Sequence, residues 1–272
     1  MSRYIELTIQ VTDALQKEML VAQLTEAGAN GFEETRSTLI AFIAEEDYIE
    51  TVAKKIIESN DLKYSVSVIE EKNWNAEWES GFEPVMINNF CAIRASFHEP
   101  NNAVEHDIVI TPKMSFGTGH HATTHMMVKA MQGLDFNDKT VFDFGTGTGV
   151  LAILAEKCGA KSIIAIDNDQ WSISNASENF NANNCHKILL SSGEGVFGEA
   201  PYEVILANIN RNIILENLAA IKQHLAAGSV LLLSGLLTGD EPIILEEAQR
   251  QQLKLEQRFE MSGWICLQMV KC

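Results

Sequence analysis

Asp143 and the alternate glycines Gly145, Gly147 and Gly149 stand in the run Val141-Phe-Asp-Phe-Gly-Thr-Gly-Thr-Gly-Val-Leu-Ala-Ile153. Without Cβ atoms the chain can turn sharply there and bring its backbone close to a ligand. Leu151, Ile153 and Leu154 then open a helix whose first N–H groups lack intrahelical partners and point back at the loop. The next apolar run, Ser162-Ile-Ile-Ala-Ile-Asp167, ends in a carboxylate. Placed at the tip of a strand, Asp167 can accept hydrogen bonds from both hydroxyls of a ribose. These types at this spacing describe a nucleotide-type cofactor site. No Lys-Ser/Thr grip follows the glycines, so a P-loop is excluded.

Spacing narrows the cofactor. A dinucleotide fingerprint, Gly-x-Gly-x-x-Gly, would need glycine where Val150 stands. The Asp-x-Gly-x-Gly-x-Gly form suits S-adenosylmethionine best and NAD less well, and a plain βαβ unit with packing glycines is a third option. Asp143, between Phe142 and Phe144, is expected to be buried, to hold the loop and to face a cofactor ammonium through water. Asn208 ends the apolar run Val204-Ile-Leu-Ala207, at the carboxyl edge where ligands of open sheets bind. Its amide both donates and accepts, suiting the methionine end of a cofactor or an incoming amine, although a simple turn role would also place it there. Glu194, just beyond residues 188–191, is a candidate near an adenine.

Alternating strand and helix patterns position these groups. Strands are expected at 140–144, 162–166, 188–191, 203–207 and 229–233, with helices at 149–158, 170–183, 211–225 and 239–251. Runs 253–261 and 264–270 have no helix between them, and Ser262-Gly263 is a tight turn, so they should form an antiparallel hairpin. This predicts an α/β fold, a doubly wound Rossmann-like sheet with a C-terminal antiparallel hairpin, the topology of class I methyltransferases and not of a plain dinucleotide domain. Residues 1–69 read β-α-β-β-α-β, the ferredoxin-like α+β layout, with Thr12 and Asp13 capping the first helix and Gly28 stopping it. Residues 70–83 form a linker whose Trp74 and Trp78 share a helical face and pack it. The second domain spans 84–272, and 84–111 should hold short strands and turns.

Composition sets limits. The chain has 272 residues, 46% of them hydrophobic, enough for a full domain and a smaller one. Charge is −17, from 20 Lys+Arg against 37 Asp+Glu, with no basic cluster. Nucleic-acid affinity rests on neutralising phosphates, so no direct binding to nucleic acid is expected. An acidic surface favours a cationic partner, or serves solubility alone. Cysteines 91, 158, 185, 266 and 272 are scattered, which argues for reduced thiols and a cytoplasmic protein without structural zinc. No apolar run approaches the ~20 residues of a membrane span, the N-terminus lacks a signal-peptide profile, and no long heptad is present, so a monomer is expected.

A second loop is as distinctive: Ile110-Thr-Pro-Lys-Met-Ser-Phe-Gly-Thr-Gly-His-His-Ala-Thr-Thr-His125. Phe116 and Thr118 suit a lid over a cofactor, and Thr123 and Thr124 can cap the following helix. His121 and His125, four apart, raise a metal, but no carboxylate or third ligand stands in register, so no metal is expected. Phe-Gly-Thr-Gly-x-His-x-Thr-Thr resembles the corresponding loop of bacterial methyltransferases that act on large-subunit ribosomal protein eleven. Val-Phe-Asp-Phe-Gly-Thr-Gly-Thr-Gly-Val-Leu-Ala-Ile, Ala-Ile-Asp-Asn-Asp, Ala-Asn-Ile and the Asn-Trp-x-x-x-Trp segment share the likeness, which covers essentially the whole chain. One departure is Thr111-Pro112-Lys113, where the family often has Asp-Pro-Gly.

That resemblance implies S-adenosylmethionine as cofactor, with Thr124, Gly145, Asp167 and Asn208 as its contacts and Asp143, Gly147, Phe116, Thr118 and Glu194 around them. It implies methylation of lysine side chains and the N-terminal amine of large-subunit ribosomal protein eleven, docked by the N-terminal domain. No general base is required, and Asn208 is the candidate for positioning the amine. Rival readings are a methyltransferase of another protein or a small amine, or a non-enzymatic adenosyl- or dinucleotide-binding module. Glutamine-modifying relatives carry Asn-Pro-Pro-Tyr where this chain has Asn208-Ile-Asn-Arg211, which counts against them.

Overall fold

The computed structural model describes residues 3–70, 82–112, 117–198 and 201–272. Trp74, Trp78, Lys113 and Phe116 lie outside the described residues. The chain divides into two compact units, Met1–Gly81 and Phe82–Cys272.

The first unit runs β1 (Arg3–Gln10), α1 (Ala14–Glu26), β2 (Ala29–Glu34), β3 (Thr38–Ala44), α2 (Glu50–Ser59) and β4 (Lys63–Glu70). Its four strands lie in the order β2-β3-β1-β4, every pairing antiparallel. Period-two alternation buries Ile5, Leu7 and Ile9 against Leu20 and Leu24 of α1 and Ile57 of α2. Asp13 caps α1 by accepting from Gln16 N at 2.8 Å, and Gly28 follows the helix with φ +99°, as its residue types demand. The second helix starts only at Glu50, after Asp47 N has closed a turn onto Ala44 O.

The second unit opens with β5 (Val85–Ile87), β6 (Cys91–Ala95) and β7 (His106–Ile110), a small sheet in that order. Then follow α3 (Ala122–Met131), β8 (Thr140–Phe144), α4 (Val150–Lys157), β9 (Ser162–Asp167), α5 (Gln170–Ala182), β10 (Ile188–Ser192), β11 (Tyr202–Asn208), α6 (Arg211–His224), β12 (Leu225–Leu237), α7 (Glu241–Arg250), β13 (Leu253–Met261) and β14 (Trp264–Lys271). The seven-stranded sheet has the order β10-β9-β8-β11-β12-β14-β13. Alternate side chains serve opposite faces: Val141, Val204 and Leu206 pack with α3 and α4, while Phe142, Ile205 and Ala207 pack with α6 and α7. The α/β, doubly wound expectation holds, and so does the antiparallel hairpin. Its turn residues Ser262 and Gly263 have φ +51° and +80°, the positive pair of a type I′ turn. The first strand of the hairpin ends at the sheet edge, whereas β14 is inserted between β12 and β13. β12 exceeds the expected 229–233 at both ends, since its pairing with β14 continues to Leu237↔Trp264 and its start contains the non-alternating Ala226-Ala-Gly228.

One edge of β7 carries β6; the other is covered by a row of asparagines. Asn183 Oδ1 accepts from Val109 N at 3.0 Å and its amide donates to Val109 O at 2.6 Å. Asn179 Oδ1 accepts from Thr111 N at 2.7 Å, and Asn175 donates to Thr111 O at 3.1 Å. These three residues stand four apart along α5 and its C-cap, so one helix face imitates a neighbouring strand and saturates an edge that would otherwise be open. Asn179 also donates to Thr148 O at 2.8 Å, tying this row to the glycine loop. Each buried partner left unpaired costs about 1–3 kcal/mol, so Asn179→Ala is expected to lose about 2–4 kcal/mol of stability. Urea unfolding measures this, and a loss below about 0.5 kcal/mol, the size of an ordinary surface change, would refute the bracing role.

Candidate active site

The strand order reverses between β8 and β11: β9 and β10 extend to one side, β11 and β12 to the other. Loops leaving such a switch point diverge and open a crevice at the carboxyl ends of the strands. Phe144, Asp167 and Asn208, at or beside those ends, line a cavity of about 620 Å³, within the ~300–1,000 Å³ usual for small-ligand sites.

The glycine loop is folded over β9, with Gly145 N and Thr146 N both donating to Ile166 O at 2.9 and 2.8 Å. Gly145, Gly147 and Gly149 have φ of +74°, +56° and +81°, a region costly for residues with a Cβ. A Cβ on Gly145 would also meet Ile209 Cγ2, and one on Gly149 the Phe180 ring. Gly149 is the N-cap of α4. Asp167 Oδ2 accepts from Gly147 N at 2.9 Å and Oδ1 from Asp169 N at 3.0 Å. A carboxylate has about four acceptor positions, so Asp167 braces the loop and still presents acceptors to the cavity it lines.

Asp143 is fully buried and is not among the residues lining the cavity. Thr146 Oγ1 donates to its Oδ2 at 2.6 Å, while Oδ1 has no partner. Burial drives its pKa from 3.8 up to about 7, with the nearby Asp167 charge adding to the rise and the Thr146 bond opposing it. The folded-state pKa lies above the unfolded value, so this group's contribution to stability is full below 3.8 and is lost as pH rises to about 7. Asp143→Asn should therefore flatten the pH dependence of the unfolding midpoint across that interval. Parallel midpoint profiles for the two proteins would show that Asp143 does not titrate there.

Asn208 is held from behind. Its Nδ2 donates to Thr124 Oγ1 at 3.3 Å, and its buried Oδ1 has no partner. Thr124 is fully buried within α3 and reaches the site through Asn208, not as part of the cavity wall. The α3 cap is also not a threonine: His121 is the N-cap residue, its ring accepting from Thr123 N at 3.4 Å. Threonines 123 and 124 lie inside the first turn because the chain is still extended at His121. His121 is thus engaged in capping, and among the described residues no cluster of three or more His, Cys, Asp and Glu side chains forms a metal-type set. Thr118 Oγ1 lies 3.3 Å from His120 Nδ1, off the cavity, while Gly147, which is buried, and Glu194, which is exposed, line it. Linear reading missed Trp264, Glu216 and Asn217 and raised His121 only as a metal ligand, yet all four are on the cavity wall. Trp264 adjoins the predicted hairpin turn, the one signal that could have flagged it. The other three stand where only the fold brings them.

Residues 3–272 match the family described as "Ribosomal protein L11 methyltransferase (PrmA)". The chain belongs to the ribosomal protein L11 methyltransferase family. Relatives bearing that family name include one from Bacteroides thetaiotaomicron, 36% identical with 96% of this chain and 97% of the relative covered. Another, from Chlorobaculum parvum, is 40% identical over 88% of this chain and 86% of its own length. Among solved structures, a ribosomal protein L11 methylase from Lactobacillus delbrueckii subsp. bulgaricus superposes with a TM-score of 0.65 at 26% identity, over 70% of this chain and 99% of that one. A methyltransferase from Pyrococcus furiosus shares the fold, with a TM-score of 0.52 at 16% identity over 60% of this chain and 88% of its own. Membership makes this ribosomal protein L11 methyltransferase homologue a methyltransferase with a class I sheet. The sheet order and the hairpin inserted beside β12 are the structural side of the same statement.

Proposed function

We propose that the protein transfers methyl groups from S-adenosylmethionine to lysine side chains and to the N-terminal amine of large-subunit ribosomal protein L11. The observation that carries this reading is Asn208: a buried amide oxygen without a partner, on the wall of a glycine-lined cavity at the switch point. A buried acceptor without a donor is costly, and an amine N–H meets that need. The residues present fit the cofactor. Gly145 and Gly147 bring bare backbone to the cavity wall, Asp167 offers acceptors to ribose hydroxyls, and Glu194 lines the same cavity for the adenine. Thr124 orients Asn208 from behind, while Asp143 and Thr146 stiffen the loop. Phe116 is assigned to covering the cofactor, whereas Thr118, off the cavity, is not.

When bound, S-adenosylmethionine supplies a sulfonium methyl group that is already activated. The chain's task is alignment: Asn208 Oδ1 accepts from the acceptor nitrogen and sets its lone pair in line, a geometric contribution that is large in methyl transfer. A lysine of pKa about 10.4 must first lose its proton, and the apolar side chains Phe144, Ile209, Ile213 and Trp264 on the cavity wall, by desolvating the ammonium, favour the free amine. No side chain is needed to keep that proton.

Residues 1–69, as a ferredoxin-like domain beyond a linker at 70–83, dock the ribosomal protein. The charge of −17 favours a basic protein over bare RNA. The enzyme works in the cytoplasm as a monomer; no helix among the described residues is long and apolar enough to cross a membrane. The direct test is transfer of labelled methyl from S-adenosylmethionine to free ribosomal proteins, with mass spectrometry of the labelled product. Label in other proteins but not in L11 would refute the substrate. Removing residues 1–68 should abolish protein labelling yet spare cofactor binding, and unchanged labelling would refute the docking role.

A further inference from the structure

The cavity wall continues onto an apolar shelf outside it. In the sheet, Leu237 of β12 pairs with Trp264 of β14, and Trp264 pairs with Met261 of β13. Residues paired across antiparallel strands point to the same face, so the three side chains form a row across three neighbouring strands. Trp264 lines the cavity. Its ring meets that of His121 edge to face, at 4.8 Å between centroids, so the middle of the row is the part that adjoins the site. Leu237 and Met261 carry the row out to the surface with 49% and 39% exposure. The sheet residues next in line, Leu236 and Ile265, are fully buried on the opposite face, so the exposure is not a frayed edge.

The row is also rigid. Thr238 N donates to Gly263 O at 3.0 Å, which pins the hairpin tip to the end of β12. Beyond Met261 the edge strand β13 is guarded by charge: Arg258 pairs with Glu241 and Glu260, each at 2.8 Å. Charged side chains of this kind discourage addition of a further strand. A partner is therefore received on the face of the row and not along its edge. Contiguous apolar surface with a polar rim marks an interaction site, and this one leads directly to Asn208 and the methyl-transfer cavity.

We propose that Leu237, Trp264 and Met261 form the docking shelf for the segment of the acceptor protein that flanks the methylated amine. Apolar side chains next to the target residue lie on Leu237 and Met261. The aliphatic stem of the target lysine runs over Trp264 toward Asn208, and the Trp264 face stabilises the cationic methylated product. The shelf rests on the assignment of L11 as acceptor, and it adds a determinant of which amine reaches the cavity, separate from capture by the N-terminal unit.

Full-length Leu237→Ser and Met261→Ser enzymes test it, since neither side chain is buried. Steady-state transfer to purified L11 is expected to show KM for L11 raised about tenfold in each variant, with KM for S-adenosylmethionine and kcat held within about twofold, as expected for loss of binding shared by ground and transition states. Unlabelled L11 with the wild-type enzyme would overturn the substrate assignment and not the shelf. Labelled L11 with unchanged KM in both variants would overturn the shelf alone. A wild-type dimer in sedimentation that Met261→Ser dissociates would assign the row to a second copy of the chain and overturn it as well.

Discussion

Asp167→Ala is expected to weaken S-adenosylmethionine binding at least a hundredfold. In the proposed function the carboxylate accepts from both ribose hydroxyls, and hydrogen bonds to a charged group are worth about 1.5–3 kcal/mol each. Two such bonds alone correspond to about two orders of magnitude or more in Kd. The same change removes the acceptors of Gly147 N and Asp169 N, so the glycine loop loses a brace at the moment it loses a ligand contact. Asp167→Asn separates these effects. Its amide oxygen can still accept from one backbone N–H, so its Kd should fall between wild type and Asp167→Ala. Titration calorimetry reads both, and a change under tenfold in Asp167→Ala would remove Asp167 from the cofactor site.

Asn208→Ala should act on a different quantity. The cofactor Kd should change by less than tenfold, while single-turnover methyl transfer falls about a hundredfold, the scale on which misplacing a reacting group by about 1 Å is felt. Asn208→Asp is isosteric but cannot donate to Thr124 as the amide does at 3.3 Å. Thr124→Val removes the other half of that bond and leaves the amide free to turn its oxygen away. An intermediate rate loss of about fivefold is expected for Thr124→Val, with cofactor affinity kept, because a single positioning bond is worth about 1 kcal/mol. If Asn208→Ala transfers methyl groups at the wild-type rate, amine positioning must reside elsewhere on the cavity wall.

Much of the site was legible because its signals are local. Glycine at 145, 147 and 149 answers a backbone demand, and the positive φ at each position is what that spacing announces. Asp167 and Asn208 terminate apolar strands, and the end of a strand in a parallel sheet is where ligands bind. Boundaries erred where tertiary pairing overrode composition: β12 extends to Leu237 because β14 pairs with it that far. Thr123 and Thr124 were reasonable caps by residue type, yet His121 takes that role because the helix begins one residue after it. Asn175, Asn179 and Asn183 carry no local signal beyond the spacing of a polar helix face. Their use as a substitute strand is visible only with β7 in place.

The linear chain therefore carried the cofactor loop, the carboxylate of β9, the strand-helix alternation and the closing hairpin, since each depends on residues within a few positions of one another. Folding alone decided what lies across the cavity from the glycines. Asn208 and Thr124 are 84 residues apart, and His121 and Trp264 belong to different elements whose meeting is set by α3 packing over β12 and β14. Local steric rules act on neighbours in sequence, whereas an acceptor site is built from side chains that hydrophobic packing brings together from distant segments.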